Sequence, residues 1–196
     1  MRVQAILAHP LPDSFAAAVH RAAVGGLRAA GHEVVETDLY AEGFEPALSA
    51  AERGRYYAAD YDTSAVAPLV ERLRWSQALV LSYPHWWFDM PAMLKGYFDR
   101  VWAPGVAFRH DLAGGRIHPL LTDLKRVAVL TSFGSPWWVA ELYMRNPARR
   151  ILKGGLLTAC APQAAFRYLA LYDMDRATAP RRARHLARVE AAMRAL

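Results

Sequence analysis

Apolar residues arrive in five short bursts along the chain, at 3–8, 33–37, 78–83, 126–131 and 164–171, each bounded by breakers or polar residues. Runs of that length, rich in Val, Leu and Ala, predict strands, most of them buried on both faces. Between them the apolar positions return at helical spacing. Helices are predicted over 14–30 (closed by Gly31), 49–57, 64–75, 91–101, 147–157 and 177–195; Pro91 sits where a first helical turn tolerates proline. Residues 102–123 carry Gly and Pro breaks with little periodicity and are read as a long loop, and 132–146 as an irregular, aromatic-rich stretch. There is no internal repeat, low-complexity tract or linker, so residues 1–196 form a single expected domain. Strands alternating with helices predict an α/β protein with a parallel, doubly wound sheet covered by helices on both faces.

Composition narrows the class. A chain of 196 residues that is 54% hydrophobic and 21% charged can bury a core without staples. One cysteine, Cys160, excludes an internal disulfide, fits a reducing compartment and is read as a buried apolar residue. The first apolar run is too short for a signal peptide and no window reaches the length of a membrane span, so a soluble, cytoplasmic protein without a membrane span is expected. The formal charge of +6 does not imply nucleic acid: the arginines of the last helix are spread around it and not interleaved with aromatics, as on a solvated face. Anionic ligands such as dinucleotides would still be drawn in. No metal site is read.

In a doubly wound sheet, ligands bind beyond the carboxyl ends of the strands, so the loops after strands one, three and four should hold the unusual residues. They do. The first, His9-Pro10-Leu11-Pro12-Asp13-Ser14-Phe15, enters a helix whose free amides suit a phosphate, with Ser14 and His9 as extra donors; Ser14 as a plain helix cap fits equally well. It contains neither an NTPase loop nor a Rossmann fingerprint. The second, Tyr83-Pro84-His85-Trp86-Trp87-Phe88-Asp89-Met90-Pro91, crowds aromatics that cannot all enter one core. They line a cleft for a flat ring system, or pack under the next helix or across a dimer contact. The third, Thr131-Ser132-Phe133-Gly134-Ser135-Pro136-Trp137-Trp138, offers small residues for close backbone approach; its tryptophans suit a lid, a dimer surface or a ring contact.

These segments resemble a known family. Ala8-His9-Pro10 through Ser14-Phe15, then Asp38-Leu39-Tyr40, then Pro84-His85-Trp86-Trp87-Phe88 through Pro91-Ala92-Met93-Leu94-Lys95-Gly96 are similar to the NAD(P)H:quinone oxidoreductases of the flavodoxin-like fold. The resemblance covers about four fifths of the chain and implies the flavodoxin-like strand order 2-1-3-4-5. It implies a homodimer with flavin sites at the interface, FAD as cofactor with FMN as the alternative, and NAD(P)H as co-substrate. By position, His9, Ser14 and Phe15 would hold the phosphate and ribityl side. Pro84, His85, Trp86, Trp87 and Phe88 would lie along the isoalloxazine, and Thr131, Ser132, Phe133 and Gly134 would meet its edge. Lys95 and Gly96 look structural.

The implied chemistry is a ping-pong exchange, hydride passing from NAD(P)H through bound flavin to a quinone-like acceptor, with catalysis mostly by positioning. Two departures bear on the acceptor. The family's tyrosine and histidine beyond strand four find no clear match near Val139 and Arg145, and Phe108 and His110 stand where two tyrosines cover the acceptor. His110 is the candidate proton donor, a solvated loop histidine being the other reading. An azo or nitro reductase with the same site, and a regulatory flavoprotein of a potassium-efflux system, are the alternative functions.

Overall fold

The computed structural model describes residues 1–58, 61–111 and 115–196. In chain order the elements are β1 (Arg2–Leu7), α1 (Phe15–Ala29), β2 (Glu33–Asp38), α2 (Ala50–Arg55), α3 (Ala67–Trp75), β3 (Ala78–Pro84), α4 (Ala92–Val101), β4 (Phe108–His110), β5 (Ile117–Pro119), β6 (Arg126–Ser132), α5 (Pro147–Arg150), α6 (Thr158–Cys160), β7 (Ala165–Leu171) and α7 (Ala179–Arg194). Five strands pair in parallel in the order β2-β1-β3-β6-β7, the flavodoxin-like order expected, and β4 pairs antiparallel with β5 in a separate ribbon.

Strand periodicity divides the core. Val3, Ala5, Val80, Ala128 and Leu130 face one side, where α1 and α7 cover them through Val19, Ala23, Leu27, Val189 and Met193. Ile6, Leu79, Leu81, Val127 and Val129 face the other, beneath α3, α4 and the helical stretch after residue 147. Successive side chains of a strand point to opposite faces, and both faces are apolar, so the central strands read as nearly unbroken hydrophobic runs. Gly26 lets α1 approach α7 closely: a Cβ there would stand 2.4 Å from the Glu190 carbonyl oxygen. The one fully buried polar side chain of β1, Gln4, is satisfied, donating to Thr37 Oγ1 and accepting from the Tyr97 hydroxyl.

The ribbon and the helix after β6 depart from expectation. Residues 102–123 contain β4 and β5 where a loop was expected; runs of three residues are too short to leave a period-2 pattern. The expected helix over 147–157 is α5 followed by a π-helical segment, Ile151–Leu157, and then α6, and a second π-helical turn covers Val139–Tyr143 within the stretch read as irregular. Cys160 is buried, as expected, and burial pushes its thiol up to about 12. No described helix is long and apolar enough to cross a membrane, and no cluster among the described residues could hold a metal.

Register aligns the strand ends. Leu7 lies opposite Asp38 and Ser82, Pro84 opposite Ser132, and Ser132 opposite Leu171. The loops leaving β1, β3, β6 and β7 therefore rise from one edge.

Candidate functional site

The loop after β3 is a tight two-residue turn. Trp86 and Asp89 exchange both backbone hydrogen bonds, at 3.0 and 3.1 Å, around Trp87 and Phe88. Both central residues have positive φ, 51° and 63°, the geometry that hairpin turns usually give to Asn and Gly. Two bulky aromatics held there carry backbone strain. The Trp87 side chain gains nothing from the protein in return, being 96% exposed. The amides of Trp87 and Phe88 have no acceptor among the described residues. The turn thus offers a bare indole and two free N–H donors, and Trp86 meets the His9 ring from the neighbouring loop with centroids 5.8 Å apart.

That neighbouring loop starts α1. Ser14 is its N-cap, the hydroxyl oxygen accepting from the Ala17 amide at 3.2 Å. Capping leaves the Ser14 O–H free to donate outward, so the cap and ligand readings are compatible. The first amides of the helix, Phe15 and Ala16, have no acceptor among the described residues, as the first turn of any helix requires. His9 Nδ1 accepts from the Leu11 amide at 3.0 Å. With that nitrogen acting as acceptor, the ring proton sits on Nε2, a donor facing away from the loop. The donors here match an anion.

The third expected group turns inward. His85 is buried, and its ring stacks on Phe133 with centroids 3.7 Å apart and planes 20° from parallel. Phe133 in turn stacks on Tyr172, so its ring is spent inside the protein. Thr131 Oγ1 donates to the Tyr83 carbonyl at 2.6 Å, which uses its only proton. It must then accept from His85 Nδ1–H at 2.7 Å, leaving His85 Nε2 as an acceptor for the Tyr168 hydroxyl at 3.3 Å. Burial pushes the His85 imidazole down to about 3, so it stays neutral. Gly134 is also needed for an internal reason: a Cβ there would meet the Asp175 carboxylate at 2.6 Å. His85, Thr131, Phe133 and Ser132 are buried at the carboxyl edge behind the turn, whereas Trp86 and Trp87 face solvent and Pro84 and Phe88 are half-buried.

This wall continues into residues that the sequence reading passed over. Asn146 Nδ2 donates to Tyr168 at 3.1 Å and to Glu141 Oε1 at 2.7 Å, and the Tyr172 hydroxyl donates to the same Glu141 oxygen at 2.5 Å. Burial raises the Tyr168 phenol, and burial together with Glu141 raises Tyr172. Asn146 also caps α5 through the Arg149 amide. An Asn-Pro step ahead of a helix is a capping pattern visible in sequence; Tyr168 lay hidden in what read as an apolar strand, and Tyr172 just past its end.

Phe108 and His110 are elsewhere. Their rings meet edge to face at 5.1 Å, and His110 meets Tyr57 in the same way at 5.3 Å. His110 lines a cavity of about 460 Å³ together with Arg74 and Gly105, which are joined by a 3.1 Å hydrogen bond, while Phe108 packs against the core beside it. Arg74 ends α3 just before β3 begins, which puts this cavity at the amino edge of the sheet. One chain does not bring Phe108 or His110 to the turn at the carboxyl edge. Besides Trp86 and Trp87, exposed apolar groups at that edge include Trp137, Trp138, Leu142 and Tyr143. Lys95 forms an exposed ion pair with Asp99, and Gly96 abuts Pro46, where a Cβ would overlap backbone; both are structural, as expected.

The comparisons with known proteins agree with this architecture. A family model described as "Flavodoxin-like fold" matches residues 1–193. The chain is 35% identical over 127 residues to a ribosyldihydronicotinamide dehydrogenase-like protein of Penicillium crustosum, a match covering 57% of this chain and 47% of that one. The chain spans about half the length of the curated relatives first matched. Among solved structures, an NAD(P)H:quinone oxidoreductase from Methanothermobacter marburgensis superposes with a TM-score of 0.87 at 30% identity, covering 99% of this chain and 98% of that one. An FMN-dependent NADH-azoreductase from Bacillus anthracis, solved with FMN, shares the fold with a TM-score of 0.74 at 16% identity and 98% coverage of both chains. The chain belongs to the flavodoxin-like fold family, in the branch that holds NAD(P)H:quinone oxidoreductases.

Proposed function

We propose that this protein is a flavin-dependent NAD(P)H oxidoreductase that delivers hydride to a quinone-like small molecule, working in the cytoplasm as a homodimer. One observation carries the reading: a strained turn holds the Trp87 indole in solvent with two unpaired amides beside it, next to a helix start rich in donors. A protein keeps such strain where the geometry serves a ligand. Bare apolar surface at the same edge points to a bound molecule or a partner.

The residues present fit a flavin. Trp86 and Trp87 supply apolar faces, the Trp87 and Phe88 amides supply donors for the polar edge of a ring system, and His9 Nε2, the Ser14 hydroxyl and the amides of Phe15 and Ala16 suit a phosphate. A bound flavin would supply the hydride-accepting and hydride-donating chemistry. The chain's part is to hold the reactants in contact and keep the ring-facing amides fixed. Pro84, His85, Thr131, Ser132, Phe133 and Gly134 do this indirectly, as the packed wall that sets the turn. Phe108 and His110 reach an acceptor only from the partner subunit of a dimer, where His110 would hand a proton to the reduced acceptor. FAD is our choice of cofactor, with FMN as the alternative.

The test is to purify the protein, release its chromophore by heat and identify it by chromatography, then assay quinone reduction with NADH and NADPH. A yellow protein releasing FAD supports the full reading, and FMN corrects the cofactor alone. A colourless protein that takes up neither flavin ends it.

A further inference from the structure

A cavity of about 810 Å³ runs from the buried wall at the carboxyl edge down the flank of the π-helical segment. That volume lies in the range of small-molecule sites. Four cations line it, Arg145, Arg149, Arg150 and Lys153, against one acid, Glu141. Glu141 is already committed: Tyr172, Asn146 and the Arg149 guanidinium at 3.6 Å surround its carboxylate. Arg149 is spent in the same way, and its guanidinium also lies over the Tyr168 ring at 5.3 Å. Arg145, Arg150 and Lys153 have no acidic partner among the described residues, so three positive charges converge on one concavity without compensation.

The backbone around this cavity is unusual as well. Arg145 and Asn146 both have positive φ, 55° and 41°, and Asn146 is pinned in place by its buried contacts. The cavity is flanked by π-helical turns on both sides, and such turns concentrate at functional sites. Gly154 has no neighbour within 4 Å of a notional Cβ, which leaves an open shelf beside Ile151. A cationic hollow with an apolar shelf, joined through Asn146 and Tyr168 to the wall behind the turn, suits a nucleotide phosphate lying beside its base.

We propose that this cavity holds the adenosine 2′-phosphate of NADPH, so that the protein selects NADPH over NADH. The naming of the dinucleotide rests on the proposed function; the phosphate site rests on the cavity. A phosphate monoester is dianionic, and arginine forks bind it through paired charged hydrogen bonds. NADH offers these groups only hydroxyls, so the three cations discriminate between the two nucleotides.

The probes are adenosine 2′,5′-bisphosphate and 5′-AMP, titrated calorimetrically into the purified flavoprotein and into an Arg150→Glu/Lys153→Glu variant. Both substitutions are on the surface, and circular dichroism verifies the fold. The bisphosphate is expected to bind the parent protein about 10-fold more tightly than AMP, and the variant is expected to lose that preference. In turnover, the ratio of KM for NADPH to KM for NADH is expected to rise about 10-fold in the variant. Equal affinity for the two adenosine probes in the parent, or an unchanged KM ratio, overturns the site. If neither nucleotide is oxidised, the proposed function falls, while the calorimetric comparison still decides whether the cavity takes a 2′-phosphate.

Discussion

The carboxyl edge of the sheet has two layers built on opposite terms. Behind lies a buried wall of His85, Thr131, Phe133, Tyr168, Asn146 and Glu141, in which rings stack and nearly every polar group finds a partner. In front stands the turn of Trp86 to Asp89, strained, exposed and short of partners. The wall has the traits of a scaffold and the turn those of a binding surface. Strain persists only where surrounding structure over-determines it, so the turn depends on the wall. Damage to the wall should cost stability, and relief of the turn should add to it.

The sharpest break in that contrast is His85→Ala. It leaves the Thr131 hydroxyl without its donor and Tyr168 with only the Asn146 Oδ1 acceptor at 3.4 Å, and it opens a void against Phe133. Cavity and unpaired-group costs together predict a loss of about 3–4 kcal/mol, read as a lowered urea midpoint of the flavin-free protein. A loss under about 1 kcal/mol would mean that the wall is not the rigid layer described.

Acid attacks the same wall. His85 is held neutral down to about 3 by burial, and His185, buried against α1, down to about 4, whereas both would take up protons near the ordinary value of 6.5 once unfolded. Below 6.5 the unfolded chain binds more protons than the native one, so stability falls as pH falls, until the native pKa values are reached. Each of these histidines is expected to contribute a loss of about 2 kcal/mol between pH 6.5 and pH 5. His85→Gln keeps a donor toward Thr131 but takes up no proton, so its stability should fall more gently over that interval. Parallel pH curves for the two proteins would remove His85 from the account.

The front layer should respond in the other direction. Trp87→Gly removes the penalty of a bulky residue at φ 51° and gives up almost no internal contact. The flavin-free protein is expected to gain about 1 kcal/mol in urea unfolding. Flavin affinity should drop about 10-fold with loss of the indole face. Gain in one measurement and loss in the other marks a site that trades stability for binding; a loss in both would make Trp87 an ordinary structural residue.

Sequence reading separated these layers only in part. The strands and the three loops were legible, because buried strands write long apolar runs and the loops concentrate aromatics, while the strand order came from the resemblance to a known family. Which way each aromatic faces was not: His85 and Trp86 are adjacent, yet one is buried and the other open, and the turn conformation that separates them has no Gly or Asn to announce it. Tyr168 was missed because in a strand a hydroxyl on an aromatic reads like any apolar residue, and Tyr172 because it lies just past the end of that strand, outside the three loops singled out. The ribbon of β4 and β5 was missed because three residues carry no period.

The smallest effect on stability belongs to His110, which lies in neither layer. Among the described residues its ring has edge contacts with Tyr57 and Phe108, and it is half-buried at the amino edge, so His110→Gln should change stability by no more than about 0.5 kcal/mol. Any role it has must be exercised on another subunit's turn. The variant should then slow reoxidation by quinone while leaving flavin reduction by NAD(P)H at the parent rate, the two half-reactions being separated by stopped flow. In a mixed dimer of one His110→Gln subunit and one Trp87→Gly subunit, both defects would fall on one flavin site and leave the other intact, so about half the parent turnover should survive. Loss of all activity in that hybrid would show that His110 serves the site of its own chain, against the geometry of a single subunit. Equal quinone turnover in parent and variant would reduce His110 to a solvated ribbon residue.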